Sequence, residues 1–559
     1  MKQLLVLAVL LTATLCHAQW SDDPLVNNAI CTLTGDQAIP KVAACPDGSN
    51  YIAWFDHSTG NFNVRLQLLD YQGNPQWADN GILVSDHPQM SWLTDWDMRT
   101  DSQGNAILAF QDIRLNDNPD MFVYKIAPDG SFLWGADGVA LTDDDESNSV
   151  AQLAVTDADN VIVCWLTETV VRVQKISADG IPQLATPLTL GDASDMHTRP
   201  QVIATAGDTF ILKYFKDTGV QELLQFTLFA QKYDTDVAPV WTGEVALTTQ
   251  GGISGWSLGL PLVNDGQDGL WTAWYDDHDA NMIEQAFVQH LAADGTLSFA
   301  DGGVLLSTNA GNQLYMPSIT LAPDGVYAFW METDYDQINS GITGQLVADD
   351  GSLQWSDTGV ALLPIGDQEV YPVGAQTIDG EAVMVFRDDT SSYHIKAMRV
   401  DAAGNFVWPT PISDISLAAS VKNLAFMSGT NNQQWVVAWG DNRNGDANAD
   451  IYAQNLNADG TLGPTQSVSD DPPPLPVLSA SPNPFNPETT LRFSLTQPGQ
   501  ARLDIFNVRG RRVATLLDEP FPAGSHSVTW EACGLASGVY LARLTTPAGV
   551  SATKLLLLK

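Results

Sequence analysis

Short runs of unbroken apolar residues recur along this chain, each followed by a run that alternates apolar with polar. YIAWFD (51–56), AILAFQD (106–112), LWTAWYD (270–276) and WVVAWGD (435–441) are rich in β-branched and aromatic side chains. Such runs suit strands buried on both faces. The runs that follow, such as IYAQNLNADG (451–460), alternate with period two, as a strand with one buried face does. An Asp-Gly then closes a tight hairpin, and a run such as LQWSDTGVALL (353–363) supplies a fourth strand. No comparable stretch shows helical spacing.

The pattern repeats. APDGSFLWGADGVALT (127–142) returns as ADDGSLQWSDTGVALL (348–363). Anchored on the turn glycine, the series runs Gly73, Gly130, Gly180, Gly295, Gly351, Gly404 and Gly460, with a divergent member near Asp236. Four residues after most of them stands a large apolar side chain: Trp77, Trp134, Leu184, Phe299, Trp355 and Trp408. A second series lies upstream: Trp54, Phe110, Trp165, Tyr214, Trp274, Trp330, Phe386 and Trp439. Both advance in steps of roughly 50 to 60 residues, which makes eight units between about residues 40 and 470. Four strands per unit in a repeating array predict an all-β fold, a β-propeller of four-stranded blades. Eight blades are expected; seven is the alternative, because the third and fourth units are worn. A string of β-sandwiches fits less well, since a sandwich needs about 100 residues. QWSDDPLVNNAICTL (19–33) resembles the outer strand of a unit, QWADNGILVS (76–85), yet precedes the first complete unit. It is expected to complete the last blade and latch the ring. The propeller is therefore placed at 19–468.

SDDPPPLPVLSASPNPFNP (469–487) breaks the pattern with a proline run, read as a stiff linker over 469–482. About seven strand-like runs follow, among them TTLRFSL, ARLDIFNV and GVYLARLTT, which predict a small immunoglobulin-like β-sandwich at 483–559. Its motifs SPNPFNPETTLRFSL, LDIFNVRGRRVATLL, PAGSHSVTW and LASGVYLARL…TKLLLLK appear in the order of a known family. This tail (478–559) resembles the type A C-terminal sorting domain of the type IX (Por) secretion system, whose fold is related to the immunoglobulin-like domain of flagellar hook-capping proteins. The resemblance rests on Pro482, Asn483, Pro484 and Phe485, on Gly510 in the Gly-Arg-Arg turn, on Gly538, Val539 and Tyr540, and on Lys554 in the basic-apolar end. It implies delivery through the periplasm by an outer-membrane secretion machinery, to the medium or the outer cell surface of a Gram-negative-type bacterium. The propeller units also look like the Trp- and Asp-Gly-rich repeats found upstream of such tails.

Charge divides the chain the same way. Overall, 66 Asp+Glu stand against 25 Lys+Arg, yet from residue 479 onward eight Lys+Arg outnumber five Asp+Glu. So acidic a body repels nucleic acid and anionic lipid, which are held through Lys and Arg. MKQLLVLAVLLTATLCHAQW reads as a signal peptide cut after residue 18: a charged end, a short apolar run and small residues before the cut. No later stretch is long and apolar enough to span a membrane, and a monomer is expected. Cys31, Cys45, Cys164 and Cys533 are scattered without a CxxC spacing, which argues against zinc. Cys31 and Cys45 can pair if their strands lie side by side; buried free thiols are the simpler expectation.

Little singular chemistry appears. GWSLG (255–259) matches the nucleophile-elbow pattern, but a loop and strand follow Ser257 where that motif needs a helix. HExxH, P-loop and GxGxxG patterns do not occur, and the histidines share no metal-ligand spacing, although those of FDHSTG and YDDHD are placed on one rim. Asp276 and Asp277 are adjacent, which does not give the separation a glycosidase pair needs. The acidic loops after the second strands are the remaining candidates. Asp441, Asp446, Asn448 and Asp450 alternate oxygen ligands as a Ca2+ loop does, though Asp and Asn also cap turns with their own backbone. The expectation is a non-enzymatic binding or adhesion module for carbohydrate or protein. Two alternatives stand beside it: a hydrolase or lyase with its site in the channel, and a structural envelope protein.

Overall fold

The computed structural model describes residues 19–464 and 478–559, apart from 90–93, 116–117, 218–225, 251–252, 254–259, 278–280, 391–392, 446–447, 496–498, 508–510, 522–523 and 547–548. The expected leader, Ser257, His278, Asp446 and Gly510 lie outside the described residues. The chain divides into two compact units, Met1–Thr465 and Gln466–Lys559.

The first unit holds eight four-stranded antiparallel sheets among its described residues. In seven of them the strand order across the sheet is the order along the chain, as expected of consecutive hairpins. Their first strands are Gln37–Ala44, Asp97–Thr100, Asn148–Val155, His197–Thr205, Leu262–Asn264, Gln313–Ala322 and Val370–Ile378, followed by Lys422–Met427 of the eighth sheet. Each packs against the next, and Lys422–Met427 packs against Gln37–Ala44, so the eight sheets close a ring around these inner strands. This is an eight-bladed β-propeller. The eighth blade takes its outer strand from the other end of the chain: Asn28–Cys31 pairs antiparallel with Asp450–Asn457, Asn28 opposite Ala453. The latch expected from QWSDDPLVNNAICTL is present.

The recurring aromatics occupy equivalent places. Those of the second strands, from Trp54 to Trp439, are buried between blades. Each outer indole donates its Nε1 proton to a backbone carbonyl in the outer hairpin of the following blade: Trp77 to Pro128 (3.1 Å), Trp134 to Ala178 (3.2 Å), Trp355 to Ala402 (2.9 Å) and Trp408 to Ala458 (2.8 Å). The ring lies on that hairpin's turn glycine, where a Cβ would meet it; at Gly180 the clearance to the Trp134 ring is 2.6 Å. Two members escaped the sequence series. Trp241 donates to Ala293 at 3.0 Å, but the turn preceding it carries Val237 in place of glycine, at φ 61°. Trp20 donates to Tyr71 at 3.1 Å and fills the same niche for the closing blade, from the N-terminal segment.

Cys31 and Cys45 do not pair: each is a buried free thiol, one on the latch strand and one at the end of the first inner strand, and burial pushes both up to about 12. Cys533 is exposed.

The second unit is a seven-stranded sandwich. One sheet orders Leu478–Ser481, Glu488–Leu495 and Gly524–Glu531; the other orders Arg512–Phe521, Gly499–Asn507, Gly538–Thr546 and Gly549–Leu557. Phe485, Leu491, Phe493, Leu503, Ile505, Trp530, Leu544 and Leu555 lie in the core between them. Its first strand starts at Leu478, inside the span read as linker, because the proline run ends at Pro476 and Leu478 can already pair with Phe493. The opening motif clamps the last strand. Asn483 Nδ2 donates to the Lys554 carbonyl (2.6 Å), its Oδ1 accepts from Leu556 N–H (2.8 Å), and Phe485 exchanges backbone bonds with Leu556 and Leu558 at 2.9 Å. Pro482 accepts from the Thr489 hydroxyl, and Tyr540 donates to Ala536 while its ring meets Trp530 edge-on. Gly538 and Val539 open the strand that carries Tyr540. No helix among the described residues is long and apolar enough to cross a membrane.

Candidate ligand face

Antiparallel order puts all loops between second and third strands, and all blade-to-blade connections, on one face of the ring; tight turns occupy the other. The long-loop face carries the acidic segments, and most of their carboxylates are committed locally. At the ends of second strands, Asp56 holds Arg65 (2.6 Å), Asp112 holds Arg114, Asp388 holds Lys396 (2.8 Å) and Asp441 holds Arg443 (2.7 Å), all four carboxylates being wholly or largely buried. Others cap turns: Asp277 accepts from Asn281 and Met282 N–H at 2.8 Å, and Asp334 from Ile338 N–H at 2.9 Å.

The calcium quartet follows these rules. Asp441 is buried and accepts from Trp439 Nε1 at 2.8 Å as well as from Arg443. Burial pushes its carboxyl up, and the hydrogen bonds, led by Arg443, outweigh that and hold it below the usual range. Asp450 accepts from Asn444 Nδ2, and Asn448 Oδ1 accepts from Gly35 N–H at 3.2 Å. The three described members thus spend oxygens on protein donors, and an Arg guanidinium already supplies the cation. Among the described residues no group of three or more His, Cys, Asp or Glu is arranged to hold a metal. The histidines are scattered: His57 meets the Phe62 ring at a tilt, His290 bonds Asp265 at 2.9 Å, and His197 is buried beside Tyr214.

The inner strands carry a device that periodicity did not reveal. Five of them bulge at one repeat position, where Ile39, Val150, Arg199, Met316 and Leu424 sit in the left-handed region at φ 43–55°. Pro40, Pro200 and Pro317 follow three of these residues directly. Proline is admissible there because a bulge on an edge strand leaves its missing N–H without a ladder partner. Left-handed φ in β-branched and long side chains is strained, and its repetition sets a collar of side chains on the channel-lining strands. Met316 and Leu424 are 45% and 51% exposed.

Beside Met316 the collar meets a constellation found once among the described residues of the ring. Tyr275 and Tyr315 pack edge to face, centroids 5.5 Å apart. Glu284 stands immediately before the third strand of blade 5; the other described blades have Phe62, Pro119, Thr169, Asn339, Tyr393 and Ala449 there. Its backbone N–H donates to Gln313 Oε1 (2.6 Å), while its Oε2 is buried with no partner among the described residues. Burial, and then the charges of Asp276 and Asp277, push its carboxyl up to about 7. Burial and Glu284 push the Tyr315 phenol up to about 12. Asp276 itself faces inward and accepts from Trp274 Nε1 at 3.1 Å, so the adjacent pair divides into one core residue and one turn cap.

Residues 479–558 match the secretion system C-terminal sorting domain. The C-terminal unit is such a domain, and the chain that carries it is exported to the cell surface or secreted. No curated protein is similar to the chain in sequence. Among solved structures, the PL25 ulvan lyase bound to -[GlcA(1-4)Rha3S]- is similar at 10% identity over 78% of this chain and 97% of its own, with a TM-score of 0.40. The quinohemoprotein alcohol dehydrogenase ADHIIG from Pseudomonas putida HK5 is similar at 12% identity over 82% of this chain and 81% of its own, with a TM-score of 0.40. The Penicillium chrysogenum α-L-arabinanase complexed with arabinobiose is similar at 11% identity over 56% of this chain and 94% of its own, with a TM-score of 0.30.

Proposed function

We propose that this exported protein is a non-enzymatic binding or adhesion module, and that its propeller receives a carbohydrate or protein ligand at the long-loop mouth of the channel. One observation carries the reading: in a frame of near-identical blades, the paired tyrosines, the exposed Met316 and the unpartnered Glu284 oxygen gather at a single place on that mouth. Ligand sites combine apolar and aromatic lining with a few polar groups that fix orientation. The repeated carboxylates, most of them matched to a cation or a turn, support the frame. Probing an array of glycans and surface proteins with the purified protein tests this. Binding that Tyr315→Ala weakens is expected; full binding by that variant would remove the site from the mouth.

A second reading has its own observation. A carboxyl that titrates near 7 suits a general acid at neutral pH, which would make the site a hydrolase or lyase. Release of shortened product from a bound glycan, abolished in Glu284→Gln, would favour catalysis over adhesion.

A further inference from the structure

The closing seam between the last blade and the first differs from a regular seam. Within a blade, four or five residues separate the outer aromatic from the start of the outer strand, as in Trp77–Ile82, Trp134–Val139 and Trp408–Ile412. In the closing blade eight separate Trp20 from Asn28. Beside this longer connection lies a groove of about 590 Å³ between the latch strand and the outer strands of blade 1. That volume falls within the range of small-ligand sites.

We propose that this seam groove is a binding site for a neutral, hydroxyl-rich ligand, a mono- or disaccharide. Its floor is apolar, with Ile30 and Leu69 buried and the half-buried Trp77 at one side. Its polar lining is mostly amide and hydroxyl: Asn28, Thr32 and Asn80 among others. Asn80 Oδ1 is used by Thr32 N–H at 3.0 Å, but among the described residues the Asn80 amide N–H groups and the Thr32 hydroxyl have no protein partner. They point to a ligand rich in both acceptors and donors. No Lys or Arg lines the groove, and its one charged residue is the exposed Asp79, so an anionic ligand would find no counter-charge. The lining comes from the latch segment and from blade 1, so a ligand there binds a surface that exists only when the latch strand is docked, and it stabilises the folded ring by mass action.

The proposal does not rest on the channel-mouth reading. Thermal melting of the purified full-length secreted protein is followed with glucose, galactose, mannose, arabinose, rhamnose, maltose and cellobiose, and with glucuronic acid and glucosamine as charged counterparts. A saturable rise in Tm with at least one neutral sugar is expected. Asn80→Leu should weaken that response roughly tenfold, the worth of one good hydrogen bond, while Tyr315→Ala leaves it unchanged. Thr32→Val, which alters only an exposed hydroxyl, keeps the test open should Asn80→Leu fail to fold. No rise with any neutral sugar, tighter binding of either charged sugar, or a response intact in both seam variants would overturn the assignment.

Discussion

At Gly180 the backbone adopts φ +85° beneath the Trp134 ring, and both facts exclude a side chain. Gly180→Ala should cost about 1–3 kcal/mol, through left-handed strain and overpacking together, seen as a lower urea midpoint at unchanged m. Glycine and tryptophan were legible in the sequence because they sit four apart in unit after unit. Trp241 was not, because Val237 broke the signal while keeping the backbone conformation. Glu284 was illegible for the opposite reason: a single Glu among 66 acidic residues gains meaning only from its burial and neighbours. Its carboxyl, raised from 4.5 to about 7, stabilises the fold fully below pH 4.5, and that contribution is lost as pH rises through 7. Glu284→Gln should therefore match the parent's Tm near pH 4 and exceed it at pH 8, read by calorimetry across that range.

Among elements, the latch strand matters most to the ring. Trp20 is buried against blade 1 although it belongs to blade 8, so Trp20→Ala opens a cavity where the circle closes. Burying a tryptophan and then removing it typically costs about 3–5 kcal/mol. Limited proteolysis should then cut first within 19–31, and protection of that segment equal to the parent's would contradict the latch role. Strand number and hairpin positions could be read from alternation and Asp-Gly turns. The calcium loop could be read only as a candidate, because an Asp at a strand end looks the same whether it faces a loop cation or an arginine two residues on, and Asp446 lies outside the described residues. The spacing of Asp112 to Arg114 and Asp441 to Arg443 was the available clue. The inner bulges left only scattered prolines as a trace, since apolar collar residues resemble core.

For the whole molecule, charge follows the division into units: the ring is strongly acidic, and the tail that carries the sorting domain is slightly basic. Truncation after residue 478 should leave a folded propeller stranded in the periplasm of a host that carries the secretion machinery, detected by cell fractionation. Appearance of the truncated form in the medium would show that the tail is dispensable. The ring also has no natural first blade. Asp22 lies against Gly463, where the propeller's first and last segments meet on one wedge. A short peptide joining those segments would allow new termini between any two neighbouring wedges, and such circular permutants should melt close to the parent. The order in which the eight wedges are synthesised is then a historical accident of the gene, and the circle itself is what the sequence encodes.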